Sequence, residues 1–198
     1  MTGALRPAGL VATGALLLLT PLLLLLALLV LFGLGRPILF HQTRAGQGGR
    51  AFDMIKFRTM RDRADPCAAP LPDAERVTPV GRFLRRTRLD ELPELINIVR
   101  GDMDFIGPRP LLPHTIRSMR ADGVTRGLVR PGLTGLAQVS GNTLLTVEEK
   151  LRFDLWYVRN RSVALDAWIL LRTLGVVLAG ERRVNWHADQ ARPPHWGG

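Results

Sequence analysis

GRFLRRTRLDELPELINIVRGDMDFIGPRP, residues 81–110, is the stretch that sets both the local fold and the chemistry of this chain. An adjacent acidic pair, Asp90 and Glu91, stands between a run of arginines and the Gly-Pro-Arg-Pro turn at residues 107–110. Arginine binds phosphate through a planar fork, and a carboxylate can bind a metal ion or attack a phosphorus centre. The two together predict a site that handles a phosphorylated ligand.

The acidic pair is also predicted to lie at the start of a helix. Apolar residues recur at helical spacing along the segment, at Leu89, Leu92, Ile96 and Val99. Pro93 fits only the first turn of a helix, so the helix should begin near Asp90. Asp and Glu are also ordinary residues at a helix N-terminus, and from the pair alone that structural interpretation is the more common one.

The surrounding cations favour the functional interpretation. Six arginines flank the pair in the sequence: Arg82, Arg85, Arg86, Arg88, Arg100 and Arg109. Because a surface carboxylate needs one cation at most, this surplus indicates an anion that the chain itself does not supply. Attack of a carboxylate on phosphorus needs neutralisation by Arg or Lys and usually Mg²⁺, which takes one or two protein carboxylates plus phosphate oxygens. We therefore predict Mg²⁺ as cofactor. Lys56, in a predicted strand, is a further candidate phosphate contact.

Residues 10–34 carry no charge and form a predicted membrane helix. Such a helix is about 37 Å long, against a hydrocarbon core of about 30 Å. Thr20 and Pro21 lie near its middle, where the proline removes a backbone hydrogen bond and Thr20 is expected to bond the carbonyl left free. Arginines flank both ends, so the charges fit a spanning helix and a re-entrant one equally well. A cleaved signal peptide is disfavoured, because the apolar region is too long and no cleavage site follows.

Composition narrows the class of protein. The chain of 198 residues has a net charge of +10, and only two of its 27 basic residues, Lys56 and Lys150, are lysine. This bias reflects a preference for arginine codons, attraction to an anionic surface or phosphorylated substrate, or both. The single cysteine, Cys67, forms no internal disulfide and suits a reducing compartment. Aromatic residues make up 6% and no nucleic-acid motif is present, so nucleic acid is not a predicted partner.

The rest of the chain predicts a mainly helical α+β fold. A hairpin is expected from strands at residues 38–40 and 52–57 around a turn at 45–49. Short helices are predicted at 80–87 and 115–120, and a short strand at 136–139 after a glycine-rich loop. A capping box of Thr146 and Glu149 begins a helix at 147–158, and Ser162 caps a last, largely apolar helix at 163–179 that Gly180 closes. Residues 181–198 are predicted to be a mobile tail.

Five blocks of sequence together resemble the bacterial sugar transferase family, the monotopic phosphoglycosyl transferases of glycoconjugate assembly. They are KFRTM at 56–60, LDELPEL at 89–95, GDM at 101–103, GPRP at 107–110 and PGLTGLAQV at 131–139. The similarity runs from the membrane helix to about residue 179. No block alone is specific, but the second and fourth at this spacing are.

The resemblance implies a defined reaction. The family moves a sugar-1-phosphate from a UDP-sugar to a polyprenyl phosphate such as undecaprenyl phosphate and releases UMP. By this resemblance Asp90 is the nucleophile of a ping-pong mechanism and forms a covalent phosphosugar intermediate. Glu91 assists it, and Mg²⁺ bridges Asp90 and the diphosphate. Arg109 holds phosphate with Lys56 nearby, and Arg86 is the predicted contact among the preceding arginines.

The resemblance also implies a location and an architecture. The loop at 131–139 shapes the nucleotide site, with Thr134, Gly135 and Gln138 as contacts. Residues 1–36 are expected to form a re-entrant membrane helix kinked at Thr20 and Pro21. Residues 37–180 would be a compact catalytic domain with a small β-hairpin and interfacial amphipathic helices, on the cytoplasmic face of the bacterial inner membrane. A homodimer is compatible with the family.

Three alternatives and two departures from the family pattern stay open. One alternative is a degenerate family member that acts as a scaffold, and one departure is that residues 111–129 lack the acidic and tyrosine residues often found there. An Arg-rich, membrane-tethered binding protein without catalysis would bind anions independently of Asp90, and a nucleotide-sugar hydrolase would release UMP without a lipid acceptor. Many family members carry Gly-Arg-Asn where this chain has Gly141, Asn142 and Thr143. No role is therefore assigned to Asn142, and the identity of the transferred sugar stays open.

Overall fold

A computed structural model describes residues 6–61 and 73–184 of the chain, which is mainly helical. The predictions for Cys67 and for most of the tail lie outside the described residues. Backbone contacts divide the described chain into two compact units. The first unit holds residues 6–42, 53–61 and 73–101, and the second unit holds residues 43–52 and 102–184.

The first unit begins with helix α1, Pro7–Leu34, which continues through Pro21. Within the described part of the chain it alone is long and apolar enough to cross a membrane, judged by length and composition. The Thr20 hydroxyl donates to the carbonyl of Leu16 at 2.8 Å. A threonine in a helix reaches the carbonyl four residues back, whereas Pro21 frees that of Leu17. The predicted bond from Thr20 to the freed carbonyl is therefore wrong.

The C-terminal half of α1 is part of the core of the first unit. Its buried residues Leu26 and Val30 pack with Phe57 of strand β2, Ala51–Phe57, and Leu84 of helix α3, Pro79–Thr87. Leu89 and Leu92, which flank the acidic pair, pack against the same cluster. The predicted membrane helix and the acidic segment therefore share one hydrophobic core.

Arg58, directly after β2, caps the C-terminus of α1. Its guanidinium donates to the carbonyl of Gly35 at 2.9 Å and to that of Leu34, and the residue is buried. The last carbonyls of a helix have no partner within the helix and carry partial negative charge. The buried Arg58 guanidinium supplies both hydrogen-bond donors and positive charge to these carbonyls, so the end of α1 is fixed to β2.

The predicted hairpin and the first basic helix are confirmed. Strand β1, Leu39–Ala45, pairs with β2 around a 3₁₀ turn, Gln47–Gly49. Helix α3 follows the short helix α2, Asp73–Arg76, and its N-cap Thr78 accepts a hydrogen bond from the N–H of Gly81 at 3.0 Å. Helix α4, Leu95–Arg100, is held to β2 by Asn97, which accepts from the Ile55 N–H and donates to the Asp53 carbonyl.

The second unit is built around two short parallel strands. Strand β3, Asp104–Ile106, pairs with β4, Gly132–Thr134, so that residues 104 and 106 oppose 132 and 134. The predicted strand at 136–139 is wrong, because these residues form helix α7, Leu136–Val139. All four are buried, with no alternation between an inner and an outer face. A short apolar run of this kind suits a buried helix and a buried strand equally well in sequence.

The remaining helices close the second unit. Helix α5, Pro113–Ser118, lies near its predicted position, and α6, Ala121–Arg126, was not predicted. Helix α8, Val147–Asn160, has the predicted capping box, and α9, Val163–Ala179, has the predicted Ser162 cap. Their inner faces form a core with α7, while α9 leaves several large apolar side chains exposed. These include Leu171, Leu174 and Leu178.

Gly81→Ala should destabilise the first unit. A Cβ added at Gly81 would lie 1.9 Å from the carbonyl oxygen of Thr59, a backbone atom that cannot move independently. We expect the free energy of unfolding to fall by on the order of 3 kcal/mol, measured by denaturant unfolding in detergent.

The matched control is Gly175→Ala in α9, where nothing lies within 4 Å of the new Cβ. Alanine favours a helix over glycine by about 1 kcal/mol, so this variant should be unchanged or more stable. Equal stability of the Gly81 and Gly175 variants would contradict the close packing of α3 on Thr59.

Candidate active site

The acidic pair lies on a 3₁₀ helix, Leu89–Glu94, that becomes the α-helix α4 only at Leu95. The helical start was predicted at the correct position but with the wrong helix type. Arg88, in the left-handed conformation at φ 55°, ends α3 immediately before it. Pro93 lies within the tight 3₁₀ segment, where it has no N–H to donate. This short 3₁₀ element therefore carries both Asp90 and Glu91.

Lys56 links the acidic segment to β2. Its Nζ lies 2.8 Å from Glu91 Oε1 and 2.9 Å from Glu94 Oε1. The three side chains are 13%, 9% and 3% exposed respectively, so the cluster is largely desolvated. Arg88 approaches the other oxygen of Glu91 at 3.8 Å. Glu94 was missed from the sequence, although its spacing of three residues from Glu91 would place both on one helical face.

The surroundings of Asp90 disfavour the charged form of its carboxyl group. Burial raises the pKa of Asp90, and the charge of Glu91 raises it further, while Lys56 and Arg85 act in the opposite direction. Lys56 pairs directly with Glu91 and Glu94 and acts on Asp90 as a neighbouring charge. An aspartate whose charge is incompletely compensated is suited to bind a cation or to form a bond to an electrophile.

The arginine of α3 that acts on Asp90 is Arg85. Its Nε donates to Thr59 Oγ1 at 2.9 Å, and its positive charge lowers the pKa of Asp90. Arg86 is exposed on the same helix, and its predicted phosphate contact stays a prediction. Sequence spacing alone could not separate the two neighbouring arginines, because both precede Asp90 by about one helical turn.

The Gly-Pro-Arg-Pro turn of the second unit is fixed to the glycine-rich loop that follows α6. The N–H of Gly107 donates to the Thr134 carbonyl at 2.9 Å, and that of Gly132 donates to the Pro108 carbonyl at 3.0 Å. A Cβ at Gly107 would lie 2.4 Å from the carbonyl oxygen of Arg130, so only glycine allows this approach. The turn presents Arg109, which is half-buried, from a rigid backbone.

The predicted nucleotide contacts differ in what their side chains offer. Thr173 Oγ1 donates to the Ile169 carbonyl, so the Thr134 hydroxyl, 2.8 Å away, donates to Thr173 and is already used within the fold. Gln138 donates to the Leu133 carbonyl at 3.0 Å, and its buried Oε1 accepts no hydrogen bond from the residues that the structure describes. At Gly135 a Cβ would lie 2.1 Å from the Gly107 carbonyl oxygen. Gly135 therefore lets this loop pack on the turn.

The carboxylates of the acidic segment fit a Mg²⁺ ion that is bound partly by the protein and partly by the substrate. In the described part of the chain, no group of three or more His, Cys, Asp or Glu side chains could hold a metal by itself. Mg²⁺ instead takes one or two carboxylates together with substrate phosphates and waters. Lys56 engages Glu91, whereas Asp90 is the neighbouring carboxylate with a raised pKa. Asp90 is therefore the residue that would hold the ion.

Comparison with known proteins assigns the chain to a family. The family model described as "Bacterial sugar transferase" matches residues 8–180, and the chain belongs to this family. Uncharacterized sugar transferase EpsL of Bacillus subtilis is 42% identical over 148 residues, which cover 75% of this chain and 73% of EpsL. Exopolysaccharide production protein ExoY of Rhizobium meliloti is 38% identical over 202 residues and 89% of each chain.

A third relative has a name that states a reaction. The UDP-glucose:undecaprenyl-phosphate glucose-1-phosphate transferase of Caulobacter vibrioides is 42% identical over 168 residues. The alignment covers 80% of this chain and 63% of that protein. The residue blocks that suggested the family in sequence all lie inside the matched range of 8–180.

Lys56→Met should destabilise the protein through the two carboxylates that it leaves behind. Removing one member of a buried ion pair typically costs about 3–5 kcal/mol, because the remaining charge is desolvated and unpaired. We expect a loss of this order in urea unfolding. The double variant Lys56→Met/Glu94→Gln, which also removes one of the stranded charges, should recover part of it. Equal stability of wild type and Lys56→Met would show that the cluster is not a stabilising feature.

Asp90→Asn should change the pH dependence of stability. Because folding raises the pKa of Asp90, the folded state binds more protons than the unfolded state between the two pKa values. The wild type therefore loses stability as pH rises from about 4 through this window, and the variant does not. Urea unfolding in EDTA should show Asp90→Asn to be the more stable protein at pH 7, with the difference vanishing below about pH 4. A wild type that is more stable at pH 7 would rule this out.

Proposed function

We propose that this protein is a membrane-associated phosphoglycosyl transferase that moves a sugar-1-phosphate from a UDP-sugar to a polyprenyl phosphate. The observation that carries the proposal is buried Glu91, paired with Lys56 and next to half-buried Asp90, in a chain that matches the bacterial sugar transferase family over residues 8–180. The names of its relatives supply the donor and acceptor classes and the link to exopolysaccharide synthesis.

The reaction runs in two displacements at one phosphorus atom. A carboxylate oxygen of Asp90 attacks the phosphorus that carries the sugar, the bond to UMP breaks, and UMP leaves with the electron pair. The product is an aspartyl-phosphosugar, which is an acyl phosphate. An oxygen of the polyprenyl phosphate then attacks the same phosphorus. This releases the Asp90 carboxylate and yields the sugar on a lipid diphosphate.

The neighbouring residues prepare Asp90 for this step. Lys56 holds Glu91 and Glu94 in place, so the acidic segment keeps its shape when an anionic substrate approaches. Arg85 and Lys56 supply positive charge beside the reacting carboxylate. Asp90 would hold Mg²⁺, which would supply positive charge to neutralise the diphosphate. Arg109 and Arg86 are proposed to bind phosphate oxygens, and the loop bearing Thr134, Gly135 and Gln138 to contact the nucleotide.

The lipid acceptor explains the apolar surfaces. We propose that α1 is re-entrant, with its bend at Thr20 and Pro21, and enters the bacterial inner membrane from the cytoplasmic side. Because the C-terminal half of α1 packs with Leu89 and Leu92, the acidic segment stays close to this helix. The exposed apolar side chains of α9 are proposed to lie at the membrane interface, where an amphipathic surface binds.

UMP release tests the function directly. Purified full-length protein in detergent, with Mg²⁺ and a panel of UDP-sugars, should release UMP in multiple turnovers only when undecaprenyl phosphate is present. Asp90→Asn should lower the rate by at least about a thousandfold, because the bond-forming atom is lost. Multiple turnovers without lipid would instead indicate a hydrolase. Release by Asp90→Asn at the wild-type rate would contradict the nucleophile assignment.

A further inference from the structure

A buried ion pair lies in the second unit, outside the acidic segment. Arg126, the last residue of α6, donates from Nε to Oδ2 of Asp154 in α8 at 2.8 Å. Each residue is only 5% exposed. Burial raises the pKa of Asp154, and Arg126 is the largest influence acting against that rise. Removing two charges from water is costly, and apolar side chains of similar size often stabilise a protein as well. The pair therefore needs an explanation beyond stability.

The second contact of Arg126 supplies that explanation. Its Nη2 donates to the backbone carbonyl of Arg109. One guanidinium thus joins α8 to the middle of the Gly-Pro-Arg-Pro turn. Asp154 fixes the plane of the guanidinium through Nε, and the fork geometry then directs Nη2 at Arg109.

Other bonds to the turn hold its two ends. Gly107 and Pro108 are bonded to the glycine-rich loop, and Arg44 donates to the Pro110 carbonyl at 3.4 Å. Arg126 contacts Arg109 itself, at the residue whose side chain is proposed to bind phosphate. A carbonyl that is held by a charged donor restricts rotation of its peptide plane, which in turn restricts where the attached side chain can reach.

We propose that Arg126 and Asp154 are a positioning pair that orients Arg109 for binding the diphosphate of the donor substrate. This inference rests on the proposed function, because it takes Arg109 as a phosphate contact. Neither residue of the pair touches the substrate. The pair was not predicted from the sequence, because its members lie 28 residues apart on different helices.

The first test separates positioning from stability. Arg126→Met/Asp154→Leu replaces both charges by apolar side chains, which should restore folding but cannot donate to the Arg109 carbonyl. We expect thermal stability near that of the wild type, an unchanged kcat and a rise of about tenfold in KM for the UDP-sugar. Recovery of KM along with stability would overturn the proposal. The control variant is Arg183→Met, which removes the exposed ion pair between Arg183 and Glu149 and should leave KM unchanged.

The second test asks whether Arg126 acts through Arg109. In an Arg109→Ala background, Arg126→Met/Asp154→Leu should have no further effect on KM, because the side chain that it orients is absent. If the rises in KM caused by Arg109→Ala and by Arg126→Met/Asp154→Leu multiply in the combined variant, Arg126 does not act through Arg109. The same cycle is run with the binding affinity for UDP as readout. If the wild type binds UDP but turns over no UDP-sugar, the proposed transferase activity is refuted. The UDP affinities of the same variants would still decide whether Arg126 and Asp154 position Arg109. A wild type that does not bind UDP would overturn both.

Discussion

The ion pairs of Lys56 with Glu91 and Glu94 are the interaction on which the rest of the first unit depends. Two buried carboxylates on adjacent turns repel each other, and only a cation between them allows the segment to stay desolvated. The lysine comes from β2, so the same contacts attach the 3₁₀ helix to the hairpin. Asp90 therefore lies next to carboxylates that are already paired with Lys56. Burial and the charge of Glu91 raise the pKa of Asp90. The chemistry that we propose for Asp90 follows from this division of roles between two neighbouring carboxylates.

The hydrophobic core of the first unit imposes a second constraint. The C-terminal half of α1 packs on Phe57 and Leu84, and Arg58 caps the C-terminus of the helix. This helix therefore serves as a structural element of the unit that carries the acidic pair, as well as being its predicted anchor. A lipid substrate would present its phosphate at the membrane surface. The nucleophile that we propose, next to the base of the proposed anchor, would then need no separate docking domain.

Local signals in the sequence predicted the elements that depend on neighbouring residues. The Thr146 capping box, the Ser162 cap and the position of the acidic pair are fixed by contacts within about one helical turn. Helix α7 was mistaken for a strand because its four apolar residues are buried on all sides. Glu94 and the Arg126–Asp154 pair were missed because their meaning depends on partners far away in the chain. Motifs thus identified the candidate reacting residues, whereas the side chains that we propose to orient them could be found only in the fold.

Mass spectrometry of the intact protein and of its peptides would detect the bond that we propose between Asp90 and phosphorus. Full-length protein would be mixed with Mg²⁺ and the UDP-sugar that supports turnover, without lipid phosphate, quenched in acid and digested. We expect one added phosphosugar per chain, located on Asp90, sensitive to hydroxylamine and lost on addition of undecaprenyl phosphate. A protein that completes multiple turnovers with lipid but never carries the adduct, or carries it on another residue, would show that Asp90 is not the nucleophile.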